Sequence, residues 1–470
     1  MSDKPFYVTT PIYYANGEPH LGHAYTTILA DVLARFARLQ GMTTFFLTGV
    51  DEHGQKVEQA ALKQGITPRE QTDRMAATFR QAWDHLNIAY DDFIRTTETR
   101  HKRVVTAVLQ ALWEQGDIYL DQYEGWYCVP DERFWTEKDL VDGRCPDCLR
   151  PVEQLTEANY FFRMSRYQDW LIAYIQTHPE FIRPESRRNE VLGFLRQPLG
   201  DLCISRPVKR LSWGIPLPFD PNYVTYVWFD ALLNYVTAVD YLPTESEDGR
   251  FQTHWPQTLH LIGKDILTTH AVYWPTMLRA AGLPQPRMIL AHGWWVVDGA
   301  KMSKSIGNVQ RPLDLADVYG VDALRYFLMR NMTLGRDADF NHEVFQQRYQ
   351  ADLANNLGNL QHRVVNMIGR FCNGRTPQPT NPTDADLALQ QKCEALIPQT
   401  LELVESLAVN TALSAVFDVI AEINRYLERS APWTLAKKGE MERAATVLYY
   451  AAEALRLATV LLQPVMPEKT

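Results

Sequence analysis

At 470 residues, with 46% hydrophobic and 22% charged residues, the chain is long enough for about two to four domains, and its composition excludes general disorder. The formal net charge of -9 argues against bulk attraction to nucleic acid but leaves room for a local basic track, because phosphate binding depends on where the charges sit. The opening MSDKPFYVTTPIYY lacks the basic-then-apolar order of a signal peptide, and no run of about 18 apolar residues marks a membrane span. The expectation is a cytoplasmic protein with no membrane partner.

In chain order, residues 5–10 read as a short strand, and Pro11 to Pro19 as a polar loop containing Asn-Gly. Helical periodicity follows from His23 to about Leu39. TTFFLTGVDEHG is an apolar run ending in charged residues, the pattern of a buried strand that delivers polar groups at its carboxyl end. Strand, loop, helix, strand is the opening of a doubly wound sheet. From about 118 to 225 aromatics, prolines and Cys pairs replace that rhythm, which predicts an inserted domain. The rhythm resumes with TYVWFDALLNYV, LHLIGKDILTTHAVYWPTML and RMILAHGWWVV. From about 345 strand signals vanish. FQQRYQADLANNLGNLQHRVVNMIGRF and the segments 385–409, 411–428 and 441–463 carry helix-spaced apolar residues, which predicts an all-α bundle. A packing appendage is the plainer alternative for it.

The expected fold class is therefore α/β: a Rossmann-like catalytic domain split by a knuckle-bearing connective insertion and followed by an all-α bundle. The expected division is 1–117 and 226–300 for the two catalytic halves, 118–225 for the insertion, 301–345 for a linker and 346–470 for the bundle.

Two short motifs carry chemistry. Pro19-His20-Leu21-Gly22-His23 lies between a strand and a helix. A helix N-terminus there presents free backbone N–H groups and partial positive charge, which suits phosphate. His20 and His23 add donors, and Gly22 lets a flat ring approach the backbone. Lys301-Met302-Ser303-Lys304-Ser305 follows the last candidate strand of the catalytic half. A lysine pair in a polar loop can pin a triphosphate and stabilise charge as pyrophosphate leaves. Alone, the first motif is equally a pair of loop histidines, and the second a solvated loop. Together they read as ATP-dependent adenylyl transfer.

Six cysteines are present; Cys203, Cys372 and Cys393 are isolated, and the rest fall between 128 and 148. Cys128-Val-Pro-Asp131 and Cys145-Pro-Asp-Cys148 form two x2 knuckles separated by about a dozen residues, a spacing that suits tetrahedral zinc in a structural role. A metal-free knuckle held by packing or a disulfide is the alternative.

The two motifs, their order and the split fold resemble the class I aminoacyl-tRNA synthetases, and within them the methionyl-tRNA synthetase family. The resemblance covers nearly the whole chain. It is most specific in TPIYYANGEPHLGHAY, TGVDEHGQK, EGWYCVPDERF with CPDCLRPVE, SRPVKRLSWGIPLP, YVWFDALLNY, LIGKDILTTHAVYWP, HGWWVVDGAKMSKSIGN and APWTLAK. It implies activation of methionine with ATP and Mg²⁺, then transfer to the initiator and elongator methionine tRNAs. The implied methionine pocket is Ile12, Tyr14, Asp51 for the substrate ammonium, Trp228, Ala231, Leu232, Tyr235 and His270. The implied ATP site is His20, Gly22, His23, His292, Gly293, Lys301, Met302, Ser303 and Lys304, with His20, His23, Lys301 and Lys304 acting by electrostatics. Lys264 and Asp265 lie by implication near substrate or ribose. Asn359, Arg363 and Trp433 match positions that read the CAU anticodon. The family often has a cysteine where Asp131 stands, and a carboxylate is a harder ligand than a thiolate.

Two rivals remain at this stage. The isoleucine, leucine and valine enzymes carry a much larger editing insertion than the hundred or so residues here, and the cysteine enzyme uses a pocket zinc whose ligands are not evident. The other rival is a tRNA-binding or regulatory protein built on the same fold, against which both intact motifs weigh. Family members usually continue beyond MPEKT with another helix, so a C-terminally truncated chain is one expectation, and the expected assembly is a monomer or homodimer.

Overall fold

The computed structural model describes residues 4–128, 133–135, 137–146, 148–242, 249–297, 299–302 and 309–470. It divides into two compact units, one made of Met1–Pro19, Met42–Ala82 and Ala89–Ala291, the other of His20–Gly41, Trp83–Ile88 and His292–Thr470.

The first unit is organised by a seven-stranded sheet. Pro5–Thr9 lies between Thr43–Asp51 and Thr258–Gly263, parallel to both, with Tyr7 opposite Phe45 on one side and Thr258 on the other. Thr43–Asp51 also pairs in parallel with Tyr13–Tyr14 and with Asp92–Arg95. Beyond Thr258–Gly263 come Met288–His292 and then Ile182–Arg183, with Ile289 opposite Ile182. Parallel strands need long crossovers that cover both faces, so the central strands are buried on both faces and mostly apolar. Phe45 to Asp51 are all buried, as are Met288 to His292. The chain leaves Pro5–Thr9 toward one side and returns later on the other. That reversal is a topological switch point, where ligands bind at the carboxyl ends of the strands.

The core around the sheet gathers Tyr7, Leu47, Trp255, Ile262, Trp274 and Ile289. The helix Thr99–Glu114 adds Val104, Val105, Val108, Leu109 and Leu112, spaced at three and four residues along one stripe. The expected α/β class is thus present. The stretch 118–225 builds a separate antiparallel sheet. Ile118–Cys128 and Glu153–Phe162 pair from Ile118 opposite Phe162 to Tyr127 opposite Glu153, flanked by Arg133–Trp135 and Leu202–Cys203. Two of its residues, Ile182 and Arg183, join the edge of the parallel sheet instead.

In the second unit, the helix Leu21–Leu39 buries most of its circumference. Trp295–Val297 pairs antiparallel with Ala300–Lys301 and parallel with Ala338–Phe340. Gly320, at φ +89°, ends the helix Pro312–Tyr319 and begins Val321–Asn331. From residue 342 the described chain is helical, as the spacing predicts. His342–Arg348, capped by the Asn341 side chain, runs through a π-helical stretch Tyr349–Gly358 into Asn359–Phe371. Asp384–Glu405, Val409–Ser430, Pro432–Lys437 and Met441–Leu462 follow. Met441–Leu462 is long and apolar enough by composition to cross a membrane, but Val447, Leu448, Ala451 and Leu461 are buried within the bundle.

One buried cation ties this unit together. The Arg325 guanidinium, fully buried, donates to the carbonyls of Leu86, Asn87, Pro464 and Val465 and to the Asp31 carboxylate. Asp31 is also paired with Arg35 at 2.7 Å.

Candidate active site and recognition residues

His20 is the N-cap of the helix Leu21–Leu39, and the motif caps itself. Nδ1 of His20 accepts the Gly22 amide at 3.1 Å, and Nδ1 of His23 accepts the His20 amide at 3.3 Å. The rings stack with centroids 3.6 Å apart. Because each Nδ1 accepts, the neutral rings carry hydrogen on Nε2 and present that N–H as a donor. A helix N-terminus with two such donors is a place for an anion.

Thr26, one helical turn on, was not singled out from sequence. Its hydroxyl bridges the Gly22 carbonyl at 3.0 Å and Nε2 of His292 at 2.7 Å. Only its fourth-residue spacing from Gly22 marked it. His292 is buried, with Nδ1 2.7 Å from the Gly293 carbonyl and the Tyr25 ring edge-on at 5.0 Å. At Gly293 a Cβ would fall 2.1 Å from the Arg336 carbonyl oxygen, so no other residue fits there. Lys301 pairs through its backbone with Val296, and Met302 is half-buried. The Lys301 side chain, Ser303 and Lys304 lie outside the described residues.

In the first unit, the strand pairing sets Tyr14 opposite Asp51. Asp51 is the last residue of its strand and is 3% exposed. The Trp228 ring stands edge-on to Tyr14 at 5.9 Å, and the Lys56 ammonium lies 4.8 Å above the Tyr14 ring. Ile12 packs against the core from the same loop. Ala231 and Leu232, on the helix Val227–Leu232, and Tyr235, on the next turn, are buried. Lys264 and the exposed Asp265 begin the turn after Thr258–Gly263.

Tyr235 and His270 form a directed chain. The Ile266 carbonyl accepts from Nδ1 of His270 at 3.0 Å, so the proton of the neutral ring is on Nδ1. Nε2 must then accept, and the Tyr235 hydroxyl donates to it at 2.8 Å. Burial pushes the His270 pKa down to about 4, so the ring is neutral near pH 7. Both the His270 N–H and the Tyr235 O–H are thus committed within the protein. Tyr7 and His260 hold Tyr235 from behind. The Tyr7 hydroxyl donates to the Tyr235 carbonyl at 2.8 Å, and the His260 ring lies 4.3 Å from the phenol.

Cys128, Cys145 and Cys148 converge, with sulfurs within 4.8 Å of one another. Cys128 and Cys148 are 3.5 Å apart and not joined as a disulfide. A zinc–sulfur bond of ~2.3 Å puts tetrahedral ligands about 3.8 Å apart, so three mostly buried thiols at these separations suit a soft metal ion. Asp131 lies outside the described residues.

In the helical region the Arg363 guanidinium lies 5.6 Å from the Trp433 ring and pairs with Glu428 at 2.7 Å. Trp433 is half-buried at the start of Pro432–Lys437. Asn359, exposed, precedes Arg363 by one helical turn and shares its face.

The family model described as tRNA synthetases class I (M) matches residues 6–154 and 150–365. With the switch-point sheet and the self-capping histidine motif, this match defines a class I aminoacyl-tRNA synthetase. A second model, the anticodon binding domain of methionyl tRNA ligase, matches residues 376–470. The methionine–tRNA ligase of Caldanaerobacter subterraneus subsp. tengcongensis is 47% identical over 465 residues, 99% of this chain and 72% of that protein. That of Clostridium perfringens is 47% identical over 470 residues, 100% and 72%. Mycobacterium tuberculosis methionyl-tRNA synthetase in complex with methionyl-adenylate superposes with a TM-score of 0.95 at 44% identity, covering 99% of this chain and 92% of that one. The chain belongs to the methionine–tRNA ligase family. It activates methionine with ATP and charges tRNA with it.

Proposed function

We propose that Ile12, Tyr14, Asp51, Trp228, Ala231, Leu232, Tyr235 and His270 bind methionine, and that His20, Gly22, His23, His292, Gly293 and Lys301–Lys304 bind ATP. The observation that carries this reading is the meeting of Tyr14, Asp51 and Trp228 at the carboxyl end of the parallel sheet. A buried carboxylate beside two aromatic rings suits an ammonium group next to an apolar side chain. The Tyr235–His270 pair then closes the thioether end as a neutral, shape-defining wall.

The carboxylate oxygen of methionine attacks the ATP α-phosphorus. That bond forms as the bond to the pyrophosphate oxygen breaks. The terminal adenosine hydroxyl of tRNA next attacks the acyl carbon, and AMP leaves. No general acid or base is assigned. The Nε2–H groups of His20 and His23 and the ammonium groups of Lys301 and Lys304 stabilise phosphate charge and position it. Magnesium accompanying ATP supplies further charge neutralisation. Cys128, Cys145 and Cys148, with Asp131, would hold one structural zinc, with no part in the chemistry.

Residues 1–117 and 226–300 make up the catalytic domain in this reading, 118–225 the connective insertion, 301–345 the stem-contact linker and 346–470 the anticodon-binding domain. Asn359, Arg363 and Trp433 read the CAU anticodon of both initiator and elongator tRNA. The enzyme works in the cytoplasm, as a monomer or homodimer. Methionine-dependent ATP–pyrophosphate exchange tests the core of this reading. Asp51→Asn is expected to raise the KM for methionine by on the order of a hundredfold while leaving that for ATP near its starting value. An unchanged methionine KM would remove Asp51 from the pocket.

A further inference from the structure

Between Trp228 and Ala231 lies a charge that the reaction does not use. Asp230 is completely buried. Its Oδ2 is 2.6 Å from Nδ1 of His53, and its Oδ1 is 2.6 Å from Nε2 of His101. The imidazoles are 3% and 0% exposed. An ionised carboxylate only accepts, so each ring offers it an N–H, and both bonds are charge-assisted. Burial works against the charge on Asp230, but the two imidazoles outweigh it and hold the carboxyl down at about 2.

The three residues come from three separate elements. His53 follows Asp51 by two positions, just past the strand Thr43–Asp51. Its ring lies 5.8 Å from Trp213, whose indole N–H donates to the Glu52 carbonyl. His101 sits on the helix Thr99–Glu114. Asp230 sits on Val227–Leu232, two residues after Trp228 and one before Ala231. The clamp therefore joins the strand end carrying Asp51 to the turn carrying Trp228 and Ala231. A buried ionic cluster is a poor device for stability alone, because apolar groups of equal volume often do as well. What it adds is a defined distance and orientation.

We infer that Asp230, gripped by His53 and His101, is a positioning residue that fixes the Trp228–Ala231 wall relative to Asp51 and thereby sets affinity for the amino-acid substrate. The inference rests on the methionine-pocket reading above. It predicts a loss confined to methionine, since misplacing a binding wall by a fraction of an ångström weakens only the ligand that touches it.

The test is pyrophosphate exchange on the full chain, with KM for methionine, KM for ATP, kcat and melting temperature measured on each preparation. Asp230→Asn and His53→Ala are expected to raise the methionine KM about tenfold or more while the ATP KM changes by less than about twofold. His53→Asn carries an amide N–H close to where Nδ1–H lies, and His101→Gln does the same for Nε2–H. His53→Asn and His101→Gln should each keep the methionine KM close to its starting value. Trp228→Ala is the reference for the pocket itself. If Trp228→Ala raises the methionine KM but Asp230→Asn and His53→Ala do not, the clamp is overturned and the pocket stands. If Trp228→Ala has no effect, the pocket reading falls and the inference with it. Equal losses in His53→Ala and His53→Asn would show that the donor is not what matters and would also overturn the proposal. Should Asp230→Asn fail to fold, the two His53 variants decide alone.

Discussion

The Tyr235 hydroxyl donates to Nε2 of His270 at 2.8 Å, and His270 in turn donates to the Ile266 carbonyl. Tyr235→Phe removes the donor and leaves a buried ring nitrogen unsatisfied. The expected cost is about 1–3 kcal/mol of stability. Discrimination between methionine and apolar analogues without sulfur should weaken by no more than about 0.3–1.5 kcal/mol. Thermal melts and analogue-dependent pyrophosphate exchange measure the two separately, and a larger specificity loss would mean the hydroxyl meets the sulfur directly.

The same pair gives a pH dependence with a definite sign. His270 titrates at about 4 in the folded protein against an ordinary value of 6.5. Between those values the unfolded chain holds a proton that the folded chain lacks. Stability is therefore full above pH 6.5 and is lost as pH falls toward 4, by about 3 kcal/mol for this one group. His260, pushed down by burial and by His270 beside it, adds to the same loss. Denaturant titrations across pH 7 to 4 should show the slope, and His270→Gln should flatten part of it.

Arg363 lies over Trp433 without burying it. If an anticodon base stacks there, Trp433→Ala loses about 1–3 kcal/mol of tRNA binding. Pyrophosphate exchange should stay near normal while charging of methionine tRNA collapses. A tryptophan that serves packing alone would instead lower the melting temperature and take both activities with it.

For the thiol cluster, elemental analysis should find about one zinc per chain, as a single tetrahedral site requires. Cys145→Ala should lose the metal and loosen the 118–225 stretch to proteolysis. Full activity and an unchanged melt in metal-free protein would leave the knuckle to packing.

Arg325 makes a prediction about folding rather than catalysis. Replacing it with methionine removes one donor from each of four carbonyls and one partner from the Asp31 carboxylate. The cost should be about 3–5 kcal/mol, read as an early melting transition. A neutral outcome would mean that water or Arg35 takes over.

The α/β class and the helical C-terminal region were legible because they rest on local periodicity. Phe45 to Val50 are buried on both faces and mostly apolar, and Val409–Ser430 repeats its apolar residues at helical spacing. Two-residue strands such as Tyr13–Tyr14 and Ile182–Arg183 are too short to have a period. The π-helical stretch Tyr349–Gly358 keeps the apolar spacing of an ordinary helix. In the site, sequence motifs named Tyr14, Asp51 and Trp228, and the fold brings them together. They did not name Asp230, His53 or Thr26, whose partners lie 129 and 177 positions away for Asp230 and 266 for Thr26. Nor did they reveal that the Tyr235 proton is committed to His270, which depends on a carbonyl four residues before that histidine.

The self-capped helix at His20 has a consequence for turnover. One nitrogen of each imidazole serves the backbone, and in the proposed ATP site the other, Nε2–H, would serve phosphate. Filling and emptying the site therefore leaves the helix start intact. If nucleotide binds there as proposed, nothing at the helix start must refold when product departs, and the next nucleotide finds its donors already oriented. Asparagine in place of His20 would still cap the helix but would have no second nitrogen to offer. If His20 serves phosphate as proposed, that variant would be as stable as its parent and slow in pyrophosphate exchange.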